Sequence, residues 1–256
     1  MLRGKRCLVT GSSMGIGHGV ASAFLAAGAD VVFTSEQAPD DVTIPEGGEY
    51  VRADLTRDGE AERLVGEAWG KLGGIDVVVN NVGTYREPAF AELTRGHFDF
   101  IFGLNVWAGI AVTQAVVRRA KESGRGGRVI FSTSINAVRS EPQHTLYDAS
   151  KGAVNALTRQ LAVELAPDGF TVVAVAPGLV ETPLTDFGLK SSPAERQAIT
   201  DQIPLKRIST VGDVVGFYVF LASDAAGYAT GSVFGVDGGL DAQQMAVRPI
   251  IDAEQG

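Results

Sequence analysis

The sequence predicts an α/β protein built on one doubly wound parallel sheet of about seven strands, with helices on both faces. Three observations carry this. Seven short apolar runs alternate with longer stretches of helical periodicity along the whole chain. The runs are mostly continuous rather than alternating in polarity, as in strands covered on both faces. A cluster of glycines stands between the first run and the first helical stretch, where such folds receive a phosphate.

Strand 7–10 (Cys-Leu-Val-Thr) leads through the glycines into a helix at about 15–27. Strands 31–34 and 50–52 follow. Helix 58–72 places Ala61, Leu64, Val65, Ala68 and Leu72 at steps of three and four, one buried stripe on a surface helix. Strand 77–80 (Val-Val-Val-Asn), a helix at about 95–121 and strand 129–132 come next. A helix at about 149–165 is stopped by Pro167 and Gly169. Strand 172–176, a helix at 211–222 and strand 233–236 complete the series. No repeat, low-complexity tract or linker divides the chain, so residues 1–256 are expected to form one domain.

The 256 residues, 45% of them hydrophobic and 20% charged, are ample for a large core. The net charge of −8 argues against nucleic acid and against an anionic membrane surface. Cys7, the one cysteine, lies in an apolar run and reads as a buried structural thiol. The apolar run after the basic start is too short for a secretory signal. No stretch reaches the roughly 18 uninterrupted apolar residues of a membrane span. A cytoplasmic protein is expected, and no metal.

Two constellations carry chemistry. The first is Thr10-Gly11-Ser12-Ser13-Met14-Gly15-Ile16-Gly17, spaced Gly-x-x-x-Gly-x-Gly. Glycines let the backbone approach a pyrophosphate, and the following helix offers free N–H groups. About 20 residues on, an acid is expected to hold a ribose. Ser35 stands at the strand tip with Glu36 beside it, and 34–41 holds no Arg or Lys. Glu36 would repel a 2′-phosphate, or it is a solvated loop charge. The second is Tyr147 with Lys151, four apart on one helical face, after a strand whose end carries Ser134. An ammonium beside a phenol favours the phenolate and should lower its pKa. Ser134 would hold a substrate oxygen.

With these motifs the chain resembles the short-chain dehydrogenase/reductase family over essentially its whole length. The match rests on the glycine motif, Asp54-Leu55, Asn80-Asn81-Val82-Gly83, Asn105, Ser134, Tyr147 with Lys151, Pro177-Gly178 with Thr182, and Val236-Asp237-Gly238-Gly239. The resemblance implies a Rossmann fold and hydride transfer between a nicotinamide and an alcohol or carbonyl carbon. It makes Asn105, Ser134, Tyr147 and Lys151 a catalytic tetrad. Asn105 would anchor a water linking Lys151 to solvent, and Lys151 would also bind the nicotinamide ribose. The cofactor would touch Gly11, Ser13, Met14, Gly15, Ile16, Gly17, Ser35 and Glu36. Asp54 and Leu55 would meet its adenine, with Asn81, Val82 and Gly83 as the wall beneath. Pro177, Gly178, Val180 and Thr182 would meet its nicotinamide.

Val82 stands where the family usually has alanine. Met14 stands where members preferring the phosphorylated cofactor often have arginine. NAD is therefore expected, with NADP as the alternative. Asn136, Glu141 and His144 each read alone as loop residues. Together they suggest a hydroxyl-rich substrate, as in the family's sugar and polyol dehydrogenases. A substrate lid is expected at about 183–210. A rival reading is a 3-oxoacyl-[acyl-carrier-protein] reductase, which would want a basic patch; Arg139, Lys206 and Arg207 are its candidates. A catalytically silent binding protein is the third. The family pairs helices such as those around 106–119 and 154–165 between subunits, so a homotetramer, or at least a dimer, is expected.

Overall fold

Seven parallel strands form one sheet in the computed structural model, which describes residues 1–183, 185 and 192–243. The strands are β1 (Arg6–Val9), β2 (Asp30–Ser35), β3 (Glu49–Arg52), β4 (Val77–Asn80), β5 (Gly127–Ser132), β6 (Phe170–Pro177) and β7 (Val233–Val236). Their order is β3-β2-β1-β4-β5-β6-β7. The chain reverses its direction of travel between β1 and β4, which leaves a crevice at their carboxyl ends.

Helices α1 (Gly15–Ala26) and α7 (Val211–Ala222) cover one face of the sheet. Helices α2 (Glu60–Leu72), α4 (Ala108–Glu122) and α5 (Thr145–Leu165) cover the other. The two cores explain the continuous apolar runs. Val77 and Val79 pack with Phe24, Val214 and Tyr218 on one side. Val78, between them, packs with Leu64, Val112 and Val116 on the other. Cys7 is fully buried, and burial pushes its thiol up, as for a structural cysteine.

Three elements depart from expectation. The helix expected at 95–121 is α3 (Arg95–Phe102) and α4 joined by a π turn, Gly103–Trp107. The combined segment Arg95–Glu122, 28 residues, is long and apolar enough to cross a membrane by length and composition. Half of its most apolar window is buried inside the chain, as in a core helix. Helix α5 begins at Thr145, not 149, so Tyr147 lies in its first turn. A further helix, α6 (Pro193–Gln202), falls within the expected lid. Residues 184 and 186–191 of that lid lie outside the described residues.

Candidate active site

A cavity of about 500 Å³ opens at the carboxyl ends of the strands and runs from the glycine turn to Tyr147 and Lys151. Gly11 and Gly15 have φ of +62° and +59°, which glycine alone adopts without strain. A Cβ on Gly17 would lie 2.2 Å from the Gly11 carbonyl oxygen and 2.4 Å from Asn81 Nδ2. Asn81 Nδ2 donates to the carbonyls of Thr10 (3.2 Å) and Gly11 (3.1 Å), tying the turn to the end of β4. No side chain caps α1. Its first N–H groups are left for an anion.

At the far end of β2, the Tyr50 hydroxyl meets Ser35 Oγ at 2.8 Å and donates to the Gln37 carbonyl at 2.9 Å. Glu36 is exposed on the cavity wall, and Arg52 Nε donates to its carbonyl at 2.8 Å. Ala53, Leu55 and Thr56 line this end. Asp54 is not on the wall. Its carboxylate accepts from Thr56 Oγ1 (2.6 Å) and pairs with Arg57 (2.9 Å). The Thr56 bond holds that carboxyl below its usual range.

At the other end, Tyr147 is part-buried and hydrogen-bonded to Ser134, whose Oγ accepts from Asn136 N–H at 3.1 Å. Burial pushes the phenol up to about 12 against the opposing pull of Ser134. Lys151 is buried, which brings its ammonium down to about 8. Its Nζ donates to the Ser132 carbonyl at 3.0 Å and stands 5.6 Å from the centre of the Tyr147 ring. The lowering expected from Lys151 does not set the phenol: its own burial dominates, and the opposing pull comes from Ser134. Ser132 Oγ in turn meets the Tyr218 hydroxyl of α7 at 2.7 Å.

Asn105 sits in the π turn. Its Nδ2 donates to the Thr84 carbonyl (2.8 Å) and to Ser150 Oγ (2.9 Å), and its Oδ1 accepts from Thr84 N–H (2.8 Å). Both amide hydrogens are thus committed to protein groups, and any water would fall to its remaining acceptor capacity. Asn136 Nδ2 donates to Asp148 Oδ1 at 2.9 Å and lies 3.4 Å from His144 Nδ1. Exposed Glu141 pairs with His144 at 3.1 Å; the contact pushes the imidazole up and the carboxyl down. The His144 and Tyr85 rings meet Tyr147 edge-on at 5.6 and 6.3 Å.

Of the residues expected from the sequence, Gly11, Ser13, Met14, Gly15, Ile16, Ser35, Glu36, Leu55, Asn81, Val82, Gly83, Tyr147, Lys151, Pro177 and Thr182 line the one cavity. Gly178 and Val180 stand behind it. A Cβ on Gly178 would meet Asp237 Cα at 2.8 Å, and Val180 is buried. Asn105, Ser134, Asn136 and His144 back the Tyr147 end. Sequence reading missed Thr34, Thr84, Phe100 and Leu104 on the wall. It also missed Tyr85 and Glu87, which lie in a loop without any recognisable motif.

Residues 11–241 match the family described as enoyl-(acyl carrier protein) reductase. L-xylulose reductase of Bos taurus is 39% identical, over 93% of this chain and 97% of that protein. Glucose 1-dehydrogenase of Gluconobacter oxydans is 34% identical, over 93% and 92%. A structure from Agrobacterium tumefaciens, described as a candidate 2-deoxy-d-gluconate 3-dehydrogenase with bound NADP, superposes with a TM-score of 0.86. It is 34% identical, covering 94% of this chain and 98% of that one. The chain belongs to the short-chain dehydrogenase/reductase family. It is an NAD(P)-dependent oxidoreductase that interconverts an alcohol and a carbonyl by hydride transfer.

Proposed function

We propose that the enzyme acts on a neutral sugar or polyol, with Tyr147 as acid/base, and prefers NAD. The carrying observation is the end of the cavity. There a hydrogen-bonded Tyr147–Ser134 pair stands against Lys151, backed by the polar side chains of Asn136 and His144. A bound nicotinamide supplies or takes up the hydride. In the reducing direction, Tyr147 gives its proton to the new alkoxide and Ser134 holds that oxygen. In the oxidising direction, Tyr147 receives the proton. Lys151 binds the ribose and stabilises the phenolate, and Asn105 fixes the backbone on which this geometry depends. The glycine turn holds the pyrophosphate through N–H groups of α1, and Glu36 disfavours a 2′-phosphate.

The relatives named for sugars support the substrate class. Against an acyl-carrier substrate stands the state of the three candidate cations. Arg139 is paired with Asp241, Arg207 with Asp213, and Lys206 donates to the Asp201 carbonyl. We also infer a cytoplasmic homotetramer. Exposed Ala149, Ala156 and Val163 form a stripe at seven-residue steps on α5, and Trp107 is exposed where α4 begins. The test of function is a panel of polyols, aldoses, short ketones and a 3-oxoacyl thioester with NAD(H) and NADP(H), followed at the nicotinamide absorbance. Turnover of an acyl thioester alone would overturn the substrate class.

A further inference from the structure

Helix α5, which carries Tyr147 and Lys151, starts without a side-chain cap of its own. Two of its first N–H groups are nevertheless satisfied. Glu87, from the loop after β4, accepts from Leu146 N–H at 2.8 Å and 3.0 Å with its two oxygens, and from Tyr147 N–H at 3.3 Å. A carboxylate at this position also complements the positive end of the helix.

The same loop is pinned at its other end. Thr84 exchanges two hydrogen bonds with Asn105, both of 2.8 Å. Asn105 Nδ2 reaches Ser150 Oγ, and Ser150 Oγ donates to the Tyr147 carbonyl at 2.7 Å. Tyr147 is therefore held at both of its backbone polar groups: the carbonyl through Ser150 and Asn105, the N–H by Glu87. Between the two grips, Tyr85 lays its ring edge-on against the Tyr147 ring.

We propose that Glu87 is a positioning residue for Tyr147, closing a hydrogen-bonded circuit that runs from Asn105 through Thr84 and back through Ser150. This rests on the reading of Tyr147 as acid/base. Glu87 does not itself line the cavity and reaches Tyr147 only at its backbone N–H; it fixes where the phenol stands. The circuit also joins the wall formed by Val82, Gly83 and Thr84 to the helix of the acid/base. A displacement of about 1 Å in such a group costs on the order of 10²-fold in rate.

The experiment compares Glu87→Ala and Glu87→Gln with the parent, using xylitol and sorbitol as probes with NAD, well below each melting temperature. The Ala variant should lose about 10- to 100-fold in kcat, with the Kd for NADH within twofold of the parent. The Gln variant, which keeps an acceptor oxygen, should stay within about fivefold. A kcat of the Ala variant within twofold of the parent overturns the proposal. So does an equal loss in both variants, or a loss that only tracks the folded fraction. A second readout needs no substrate: the phenolate titration of Tyr147, taken as the absorbance difference from Tyr147→Phe. Burial pushes that phenol up in the parent; in Glu87→Ala, where the ring is no longer held in its buried place, the titration should move down, towards the ordinary value. An unmoved titration overturns the positioning role even where neither polyol is turned over, an outcome that would count against the substrate reading alone.

Discussion

At the scale of single residues, the proposed chemistry rests on two groups that burial pushes toward neutrality. Tyr147→Phe removes the transferable proton and leaves the cavity shape unchanged. Its kcat should fall by about 10²–10⁴-fold or more, with NADH affinity nearly unchanged by fluorescence titration. Activity within a few-fold of the parent would remove Tyr147 from the mechanism. Lys151 gives a prediction about stability. Its folded pKa is about 8, below the 10.5 of an unperturbed lysine. The cost of burying the ammonium is present in full below pH 8 and fades between 8 and 10.5, because the folded state releases its proton first. Lys151→Met should therefore stabilise the cofactor-free protein at pH 7 by about 1–3 kcal/mol, after the lost bond to Ser132 is discounted. Thermal melts across this pH range should show the gain shrinking above pH 8; a constant difference would contradict the buried charge. Glu36 supplies the third prediction. It lies exposed on the wall beside Arg52. Glu36→Arg should move the ratio of kcat/KM for NADP over NAD upward by about tenfold, a like charge being replaced by a phosphate partner. An unchanged ratio would mean that Glu36 points into solvent.

At the scale of elements, the β1–α1 turn is the least tolerant part of the site. A Cβ at Gly17 meets backbone, the Gly11 carbonyl oxygen, at 2.2 Å. Gly17→Ala should cost about 1–3 kcal/mol of stability through overpacking and weaken cofactor binding together with it. A variant of parental Tm and parental Kd for NADH would contradict that packing. The π turn Gly103–Trp107 shows what sequence could not reveal. The apolar periodicity passes straight through it, so one unbroken helix was the natural reading. The extra residue per turn changes which face Asn105 occupies and brings its amide to Thr84 and Ser150. The start of α5 differs from the sequence expectation for a related reason: Glu87 acts on backbone N–H groups about 60 residues away, and backbone groups leave no trace in a side-chain pattern.

At the scale of the whole molecule, the inner strands were legible because a strand buried on both faces must be apolar throughout, and each of Val77, Val78 and Val79 is used by one core or the other. The glycine turn of the cavity was legible because close backbone approach demands glycine, which is visible at Gly11, Gly15 and Gly17. Asp54 was legible as a motif but not in its orientation, which Thr56 and Arg57 decide. Assembly is a prediction at this scale. Val163 is 76% exposed on α5 and Trp107 55% exposed at the start of α4. These are the side chains that pairing of the two helices between subunits would cover. Light scattering at micromolar concentration should give a multiple of the 26.8 kDa chain, four-fold for the expected tetramer. A monomer would refute it.

Ser132 has a practical meaning for anyone wishing to alter this enzyme. Its carbonyl receives Lys151 from one layer of the molecule and its hydroxyl meets Tyr218 from the opposite layer. Helix α7 is thereby wired to the lysine across the sheet without coming near a substrate. Directed evolution that randomises the substrate loops would search for new specificities. A library around Tyr218, which does not line the cavity, would instead vary what stands behind Ser132 and, through it, behind Lys151.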